Sequence, residues 1–500
     1  MTSTASAPTR DLYRPGLHYT PAKNWMNDPN GLVFHQGVYH LFYQHNPFGT
    51  DWGNMSWGHA TSTDLHTWTE QPVAIPCDDD EAVFSGSAVV DERNTSGLGN
   101  GSAAPMVAVY TSAYAKESSR PGVQAQSLAY SLDEGRTWTK YAGNPVLDRG
   151  SSDFRDPKVF WYDGPAGAYW VMAAVEAAEQ RVLLHKSADL IHWEYLSDFA
   201  ADGPPDSVWE CPDLFELPID GDAARTVWVL IVSVNPGGVA GGSGTRYFLG
   251  SFDGVRFTEE SARPSAAPAG EPPLRGSWLD WGRDYYAAVS FDGLAQRRVM
   301  MGWMNNWDYA AATPTGVWRS AMSLPREITV RTANGHSRLV QTPIVPPAAS
   351  STASDEVLGA DSGSGRRAVL ATTAPGKVHR ARISASAAAA ATFGLRIGGP
   401  GTGGARLIVD PAAGEIRLDR RDSGRVDFHE HFPSIERAPL EAGERIDLEV
   451  YIDACSLEVF VQGGLATITD LVFPHGPDTE IEFFADPSVV LSTVEVAVLG

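Results

Sequence analysis

The sequence has few cysteines and few basic residues for its length. Cys77, Cys211 and Cys455 are the three cysteines in 500 residues. Their wide spacing gives neither a disulfide framework nor a metal-ligand cluster. There are 38 Lys and Arg residues against 61 Asp and Glu residues, a formal net charge of −23. Because nucleic-acid binding needs a basic surface that displaces counterions, this charge argues against a nucleic-acid partner. We expect an uncharged substrate and chemistry without a metal or another cofactor.

Long apolar segments are also missing. No segment approaches the roughly 20 consecutive apolar residues that cross a bilayer. The first ten residues lack the basic patch and apolar stretch of a secretory signal. We therefore expect no membrane partner and a cytoplasmic location, with secretion of a trimmed form as the alternative. The sequence has no coiled-coil or other assembly signal, so the oligomeric state is left open.

The residues that are abundant favour an all-β protein with two domains. The chain contains 49 Gly, 34 Pro, 15 Trp and 16 Tyr residues, a composition typical of short strands joined by tight turns. Five hundred residues are also more than one hydrophobic core usually serves. We expect one of the two domains to carry the chemistry.

A Ser, Asp and aromatic pattern recurs at intervals of roughly 55 to 70 residues, as propeller blades do. The alternative is a set of unrelated Asp turns. The copies are Ser62, Asp64 and Trp68; Ser131, Asp133 and Trp138; Ser187, Asp189 and Trp193; and Ser251, Asp253 and Phe257.

A second repeat has a polar start followed by a strand, a turn and another strand. It begins near Asp28, Ser85, Asp156, Glu210 and Asp280, which predicts five blades. The first strand of each blade lies nearest the propeller axis. Residues at equivalent starts, Asp28, Asp156 and Glu210 among them, should therefore converge.

The chain changes character near residue 342. Residues 342–359 are rich in Pro, Ala and Ser and predict a linker. Later segments alternate polar and apolar residues, which is typical of a β-sandwich. We therefore predict an N-terminal tail over 1–17, a five-bladed β-propeller over 18–341, a linker over 342–359 and a β-sandwich over 360–500. We expect the sandwich to support the propeller by packing and to supply no catalytic acid.

The segment WMNDPNG at 25–31 places Asp28 among polar and aromatic neighbours. Asp-Pro-Asn-Gly alone is explained as a turn. The amides and aromatics that follow suit a sugar site, because flat rings contact sugar faces and amides bind hydroxyls.

Two further acids occupy equivalent blade starts. Arg155 and Asp156 lie in FRDPKVF, where a structural ion pair is the alternative to a site that binds sugar hydroxyls. Glu210 lies in WECPDLFEL, and an isolated Glu is usually a solvated surface charge. The neighbouring Trp209 favours low-polarity surroundings in which a general acid can work. We expect Cys211 to be a small buried neighbour, because no activating His is evident.

Together, WMNDPNG, RDP and EC resemble the motifs of glycoside hydrolase family 32, which includes invertases, inulinases and levanases. The resemblance covers nearly the whole chain. It implies a five-bladed propeller joined to a β-sandwich, with Asp28 as nucleophile, Glu210 as acid/base and Asp156 as the stabiliser that holds fructosyl hydroxyls. It also assigns to the fructosyl pocket Asn27, Gln44, Trp52, Phe84, Ser85, Arg155 and Trp303.

The resemblance predicts a retaining β-fructofuranosidase that removes terminal β-D-fructofuranosyl units by double displacement. Its substrate would be sucrose, a fructooligosaccharide or a fructan such as inulin or levan. One alternative is a fructosyltransferase of the same family, which passes the unit to a sugar. The other is an inactive carbohydrate-binding protein, which the presence of all three acids argues against. HEH at 429–431 is interpreted as surface residues rather than a metal site.

Overall fold

The computed structural model describes residues 11–500, apart from 102, 166, 202, 205, 261–276, 354–364, 375, 388–390, 402, 442 and 444. Parts of the predicted tail and linker therefore lie outside the described residues. Within these ranges the chain is built of strands, with one single-turn 3₁₀ helix at Ala310–Ala312. No helix among the described residues is long and apolar enough to cross a membrane. The all-β prediction is confirmed.

The first three blades are four-stranded antiparallel units in sequence order. Blade one contains β1 (Asn24–His35), β2 (Val38–Asn46), β3 (Ser56–Ser62) and β4 (Thr69–Ile75). Blade two contains β5 (Glu81–Val90), β6 (Met106–Tyr114), β7 (Gln124–Ser131) and β8 (Thr139–Lys140). Blade three contains β9 (Phe154–Gly164), β10 (Gly167–Glu176), β11 (Arg181–Ser187) and β12 (Trp193–Ala200).

The last two blades are joined in one sheet through a parallel contact between Ile219 and Val330. Blade four contains β13 (Val208–Ile219), β14 (Asp222–Asn235), β15 (Gly244–Phe252), β16 (Phe257–Glu259) and the short β17 (Ser277–Trp278). Blade five contains β18 (Tyr286–Ser290), β19 (Val299–Met304), β21 (Ala321–Met322), β22 (Arg326–Ala333) and β23 (His336–Pro343), whereas the short β20 (Trp318–Arg319) between β19 and β21 joins the sheet of blade one. The five blades agree with the predicted number.

The first strands of the blades form a closed ring around the axis. Each of β1, β5, β9 and β13 contacts the first strand of the next blade, and β18 contacts both β13 and β1. The short strand β20 also pairs with β1, with Asn24 opposite Trp318. Blade five therefore begins with β18, and the sequence placed this start too early, near Asp280.

The Ser, Asp and aromatic repeat is a turn between the third and fourth strands of a blade. In blade one, Ser62 donates a hydrogen bond to Asp64, and the Trp68 indole donates to the carbonyl of Leu65. Blades two and three repeat both bonds with their own residues. The repeat recurs because these three blades use the same local bonds to reverse the chain.

The second domain is a sandwich of two antiparallel sheets. One sheet contains β24 (Ala348–Ala353), β26 (Val378–Ser386), β31 (Ile446–Ile452), β32 (Ser456–Val461), β33 (Ala466–Leu471) and β35 (Val490–Leu499). The other contains β25 (Arg366–Thr372), β27 (Phe393–Gly398), β28 (Ala405–Asp410), β29 (Glu415–Asp419), β30 (Ile435–Pro439) and β34 (Glu480–Ala485). Inward-facing residues such as Phe393, Leu407 and Val459 form its core, as the alternating pattern predicts.

Two segments predicted to lie outside the domains are part of the packed structure. Strand β24 falls within the predicted linker but pairs with β35 of the sandwich. In the predicted tail, the amides of Gly16 and Leu17 donate hydrogen bonds to Asp453 of the sandwich. Pro, Ala and Ser content alone did not reveal an edge strand, because its partner is about 140 residues away in sequence.

Buried charges join the propeller to the sandwich. Arg326 of β22 contacts Asp280 and the sandwich residue Glu458. His18 lies between Asp453 and Glu458, at 2.7 and 2.8 Å. Burial alone would lower the pKa of His18, but hydrogen bonds to these two carboxylates raise it to about 9. The sandwich therefore neutralises charges at the propeller surface as well as covering its apolar groups.

Arg420 provides the best test of this interface. Its fully buried guanidinium lies 2.6 Å from Asp284 of the propeller and packs on Phe432. Arg420→Met would leave buried carboxylates without their cation, and such a loss costs about 3 to 5 kcal/mol. We expect a large fall in the urea midpoint. Arg421→Met is the matched control, because the Arg421 side chain is 59% exposed. Equal midpoints for the two variants would contradict this role.

Candidate active site

A cavity of about 300 Å³ opens at the centre of the propeller. All three predicted acids line it, although they come from three different blades, so the predicted convergence is observed. Every lining residue belongs to the propeller. The lining residues are Asn27, Asp28, Gln44, Trp52, Phe84, Ser85, Gln124, Arg155, Asp156, Glu210 and Trp307.

A larger cleft, of about 440 Å³, lies between β23 and the sandwich. It contains none of the three acids. Its charged side chains pair with one another, as Arg382 does with Glu449 and Arg445 with Asp447. The central cavity is the better candidate for catalysis because it combines buried carboxyl groups with aromatic walls.

Each of the five innermost strands has a break in its register beside the cavity. The breaks follow Met26, Phe84 and Glu210 in blades one, two and four, with equivalent breaks in the other two. Such bulges turn a strand and redirect a side chain. Asp156 and Cys211 adopt positive φ angles of 62° and 47° at these breaks, a strained backbone that is often found at functional sites. The Asp-Pro-Asn-Gly segment is thus a bulge within β1, and not the turn that its composition suggested.

Asp28 is buried, and its two carboxylate oxygens have different surroundings. Oδ2 accepts a hydrogen bond from Ser85 Oγ at 2.7 Å and contacts Cys211 Sγ at 3.6 Å. Oδ1 has no hydrogen-bond partner among the described residues. Burial, with repulsion from Glu210, raises the pKa of Asp28 to about 6, and contacts with Ser85, Asn27 and Cys211 partly offset this rise. One oxygen is thus anchored, while the other makes no hydrogen bond to a described residue.

Asp156 lies beside the same group. Its Oδ2 accepts a hydrogen bond from the backbone amide of Cys211 at 2.9 Å. Burial raises the pKa of Asp156 to about 7; the Arg155 guanidinium lowers it, and the charges of Glu210 and Asp28 raise it. A carboxylate fixed through one oxygen in this way can accept hydrogen bonds from the hydroxyl groups of a ligand.

Glu210 is held by a cation and a phenol. Its Oε1 accepts hydrogen bonds from Arg155 Nε and Nη2 at 3.2 and 3.1 Å, and its Oε2 accepts one from the Tyr286 hydroxyl. Burial and the nearby Glu210 raise the pKa of Tyr286 well above its ordinary value, so this phenol stays a neutral donor. Trp209 packs in an apolar core between blades, because successive residues of a strand face opposite sides. The expectation that Trp209 provides low-polarity surroundings for the Glu210 carboxyl group was wrong.

Aromatic side chains form the walls of the cavity. Trp52 contacts Phe84 edge-on, with ring centroids 5.9 Å apart. Trp303, predicted to lie in the pocket, is fully buried and does not line the cavity. It packs behind Trp307, at 4.8 Å between centroids, and Trp307 provides the wall. Trp303 therefore supports the pocket from behind because its strand, β19, is the second of its blade.

Two amide side chains, those of Asn27 and Gln44, line the cavity. Gln44 Nε2 donates to the Asn30 side chain and to the Val83 carbonyl, which fixes its orientation at the cavity. Asn27 accepts a hydrogen bond from the Trp25 indole at 2.7 Å. Both lie where the sequence placed them.

Sequence reasoning missed three residues of the site. Gln124 accepts a hydrogen bond from Arg155 at 3.3 Å, Tyr286 binds Glu210, and Trp307 lines the wall. Tyr286 could have been found, because it occupies the fifth equivalent blade start. Gln124 and Trp307 lie outside the innermost strands, so the repeat gave no signal for them.

Metal dependence is a testable property of this site. Among the described residues, no group of three or more His, Cys, Asp and Glu side chains is placed to hold one. We predict that turnover is unchanged in EDTA, because carboxyl groups can carry both proton transfer and nucleophilic attack. Loss of activity that one specific divalent ion restores would contradict this prediction.

Comparisons with known proteins extend over the whole chain. Residues 18–343 match the model of the glycosyl hydrolases family 32 N-terminal domain, and residues 348–498 match that of the family 32 C terminal. Levanase of Bacillus subtilis (strain 168) is 43% identical over 492 residues, which cover 95% of this chain and 68% of that protein.

Two solved structures have the same fold. The exo-inulinase from Aspergillus awamori matches with a TM-score of 0.87 and 36% identity, covering 98% of both chains. The β-fructofuranosidase from Schwanniomyces occidentalis, complexed with fructosyl-erythritol, matches with a TM-score of 0.86 and 29% identity over 99% of both chains. The fold, the convergent carboxyl groups and these matches lead to one conclusion: this chain belongs to glycoside hydrolase family 32 and is a glycoside hydrolase with fructofuranosidase activity.

Proposed function

We propose that this enzyme removes terminal β-D-fructofuranosyl units by a retaining double displacement, with Asp28 as nucleophile and Glu210 as general acid and base. The observation that carries the proposal is the difference between the two oxygens of Asp28. Asp28 lines the cavity, Ser85 fixes its Oδ2, and its Oδ1 has no hydrogen-bond partner among the described residues. A nucleophile needs this combination of fixed direction and an available lone pair.

In the first step, Asp28 Oδ1 attacks the anomeric carbon of the fructosyl unit. A bond forms between that carbon and Asp28 as the bond to the leaving oxygen breaks. Glu210 gives its proton to that oxygen, so the rest of the substrate leaves as an alcohol. In the second step Glu210 takes a proton from water, which attacks the same carbon and frees Asp28. Glu210 is then protonated again, as it was before the first step.

The surroundings of the acids support these roles electrostatically. Asp28, Asp156 and Glu210 share one cavity, and Arg155 is the cation that lines it. Arg155 and Tyr286 donate to Glu210 after it gives up its proton, which stabilises the carboxylate produced in the first step. We propose that Asp156, which lines the cavity and whose Oδ2 is fixed by the Cys211 amide, binds fructosyl hydroxyls.

The pH dependence follows from Asp28. The pKa of Asp28 is raised to about 6, and only the ionised form attacks. We expect kcat/KM to fall as the pH drops below about 6. Ser85→Ala removes the hydroxyl that stabilises the ionised form, so it should move this acidic limb upward by on the order of one pH unit.

Ser87→Ala is the matched control for Ser85→Ala. Ser87 lies two residues away on β5 but donates to the Pro157 carbonyl. Its replacement should leave the acidic limb in place. A limb that moves equally in both variants, or in neither, would show that the Ser85 hydroxyl does not set it.

Substrate choice is tested by comparing fructose release from sucrose, raffinose, inulin and levan. Methanol added to the reaction tests the stereochemistry, because retention yields the methyl β-fructoside and inversion yields the α form. The ratio of free fructose to longer oligosaccharides separates hydrolysis from the transferase alternative. No fructose release from any of the four sugars would overturn the proposed function.

The place of action remains a prediction. The sequence expectation is a cytoplasmic enzyme, which would meet sucrose and short oligosaccharides after import. Fractionation of the native cells tests it: fructose-releasing activity in the culture fluid, and none in the cytosol, would contradict a cytoplasmic location.

A further inference from the structure

We propose that Phe48 and Val317 form an apolar platform at the mouth of the catalytic cavity. The platform would bind the sugar units of a β-fructan chain that lie beyond the first unit of the leaving group. This inference rests on the proposed function and names a longer substrate class for the same site.

The loop that carries Phe48 begins and ends beside the cavity. It connects β2 to β3, and the lining residues Gln44 and Trp52 lie on either side of Phe48. The amide of Phe48 donates a hydrogen bond to Asn46 at 3.0 Å, and the Gly49 carbonyl accepts one from the amide of Trp25. The loop is thereby fixed to the start of β1, the strand that holds Asp28.

Val317 reaches the same place from blade five. The amide of Asn24 donates a hydrogen bond to the Val317 carbonyl at 2.6 Å, and the Asn24 side chain donates to the Pro47 carbonyl at 2.7 Å. Asn24 therefore bonds both the backbone of Val317 and the residue that precedes Phe48. Asn24 adopts a φ of 77°, an uncommon conformation that the two loops together hold in place.

Phe48 and Val317 are more exposed than the aromatic wall of the cavity. Trp52 lines the cavity and is 52% exposed, whereas Phe48 and Val317 do not line it and are 77% and 65% exposed. Other large exposed apolar residues, such as Tyr195 and Val255, lie in the outer strands and turns of blades three and four. Grouped apolar exposure marks a binding surface more often than single exposed residues do.

The chemistry of the platform suits a neutral sugar chain. Furanose rings have apolar C–H faces that pack on a flat ring, and they carry no charge that would need a partner. Phe48 of the platform lies on the same β2–β3 loop as Trp52, which lines the cavity. A chain longer than a disaccharide must leave through this mouth, so its outer units would cover Phe48, whereas the glucose of sucrose would not extend so far.

The test is Phe48→Ala and Val317→Ser, assayed on sucrose, a fructan trisaccharide and inulin. We expect KM for inulin to rise about three- to tenfold in Phe48→Ala, with kcat unchanged and kcat/KM for sucrose within about twofold of the parent. Val317→Ser should act in the same direction but less, because it removes a smaller surface. Phe48→Trp should keep the parental KM, since it retains a flat ring.

Controls use exposed residues elsewhere on the propeller. Tyr195→Ala is matched to Phe48→Ala and Val255→Ser to Val317→Ser, and neither control should change KM for inulin. Equal losses on sucrose and inulin in Phe48→Ala, an unchanged KM for inulin, or the same loss in Tyr195→Ala would overturn the platform.

Binding separates this inference from the proposed function. Inulin titrated into Asp28→Asn, with and without Phe48→Ala, measures affinity without turnover. A parent enzyme that releases no fructose from any of the sugars overturns the proposed function, and the platform with it. A parent that cleaves inulin, together with equal inulin affinities in the two Asp28→Asn proteins, overturns the platform alone.

Discussion

Asp28→Asn is expected to lower kcat for fructose release by about 10⁴- to 10⁶-fold, because the covalent step loses its nucleophile. The amide has nearly the same shape and can still accept the hydrogen bond from Ser85. The fold should therefore be retained, and the loss should appear with every substrate, including those with good leaving groups. Initial rates on sucrose and circular dichroism measure the two expectations.

Asp163→Asn is a suitable control, since Asp163 is exposed on blade three and should not affect turnover. Near-parental kcat in Asp28→Asn would remove the assignment of the nucleophile. A variant that is inactive because it is unfolded would be revealed by loss of its β-sheet spectrum.

The same substitution should stabilise the protein at alkaline pH. The folded pKa of Asp28, about 6, lies above the unfolded value of 3.8. A raised pKa gives a stabilising contribution that is present below pH 3.8 and is lost as the pH rises through about 6. At pH 8 the ionised group therefore costs folding free energy, up to about 3 kcal/mol. Asp28→Asn should raise the urea midpoint at pH 8 and change it little at pH 4.

Glu210→Ala is expected to lower kcat on sucrose by about 10²- to 10⁴-fold, because both proton transfers lose their carrier. The loss should be much smaller for the first step on a fructoside with an activated leaving group, which needs no protonation. Azide should partly restore turnover by attacking the covalent intermediate in place of water. This pattern distinguishes an acid/base from a nucleophile, since Asp28→Asn should respond to neither condition.

Glu216→Ala is the control for Glu210→Ala. Glu216 lies on the same strand but is exposed and bonds Thr226, so its loss should leave kcat unchanged. An equal loss on sucrose and on the activated substrate in Glu210→Ala would contradict the assignment of Glu210.

The fold was largely predictable because its signals are local and repeated. The Ser, Asp and aromatic copies recur because blades one to three make the same turn with bonds between residues two or three apart. Strand β24 was missed because its pairing depends on a distant partner. The buried contacts of Arg326 and Arg420 across the domains were missed for the same reason, since no periodicity marks an ion pair between segments more than a hundred residues apart.

In the candidate site, too, the features marked by the blade repeat could be predicted and the others could not. Asp28, Asp156 and Glu210 could be placed together because equivalent blade starts converge on one axis. The positions of Arg155 and Tyr286 could be inferred from the blade starts, but their hydrogen bonds to Glu210 could not, since the two side chains approach it from neighbouring blades. Trp303 was predicted to line the pocket, but Trp307 does so. Which of the two rings faces the axis is set by the path of the chain after β19, and the sequence repeat does not show that path.

The most direct test of the central claim is mass spectrometry of the proposed fructosyl-enzyme. Fructosyl fluoride reacted with Glu210→Ala should form the intermediate without acid assistance, and the missing base should slow its hydrolysis. We predict that a peptide containing Asp28 gains the mass of one fructosyl unit and that fragmentation places this mass on Asp28. A fructosyl unit on another residue, or turnover of the fluoride with no adduct at any time, would contradict a double displacement through Asp28.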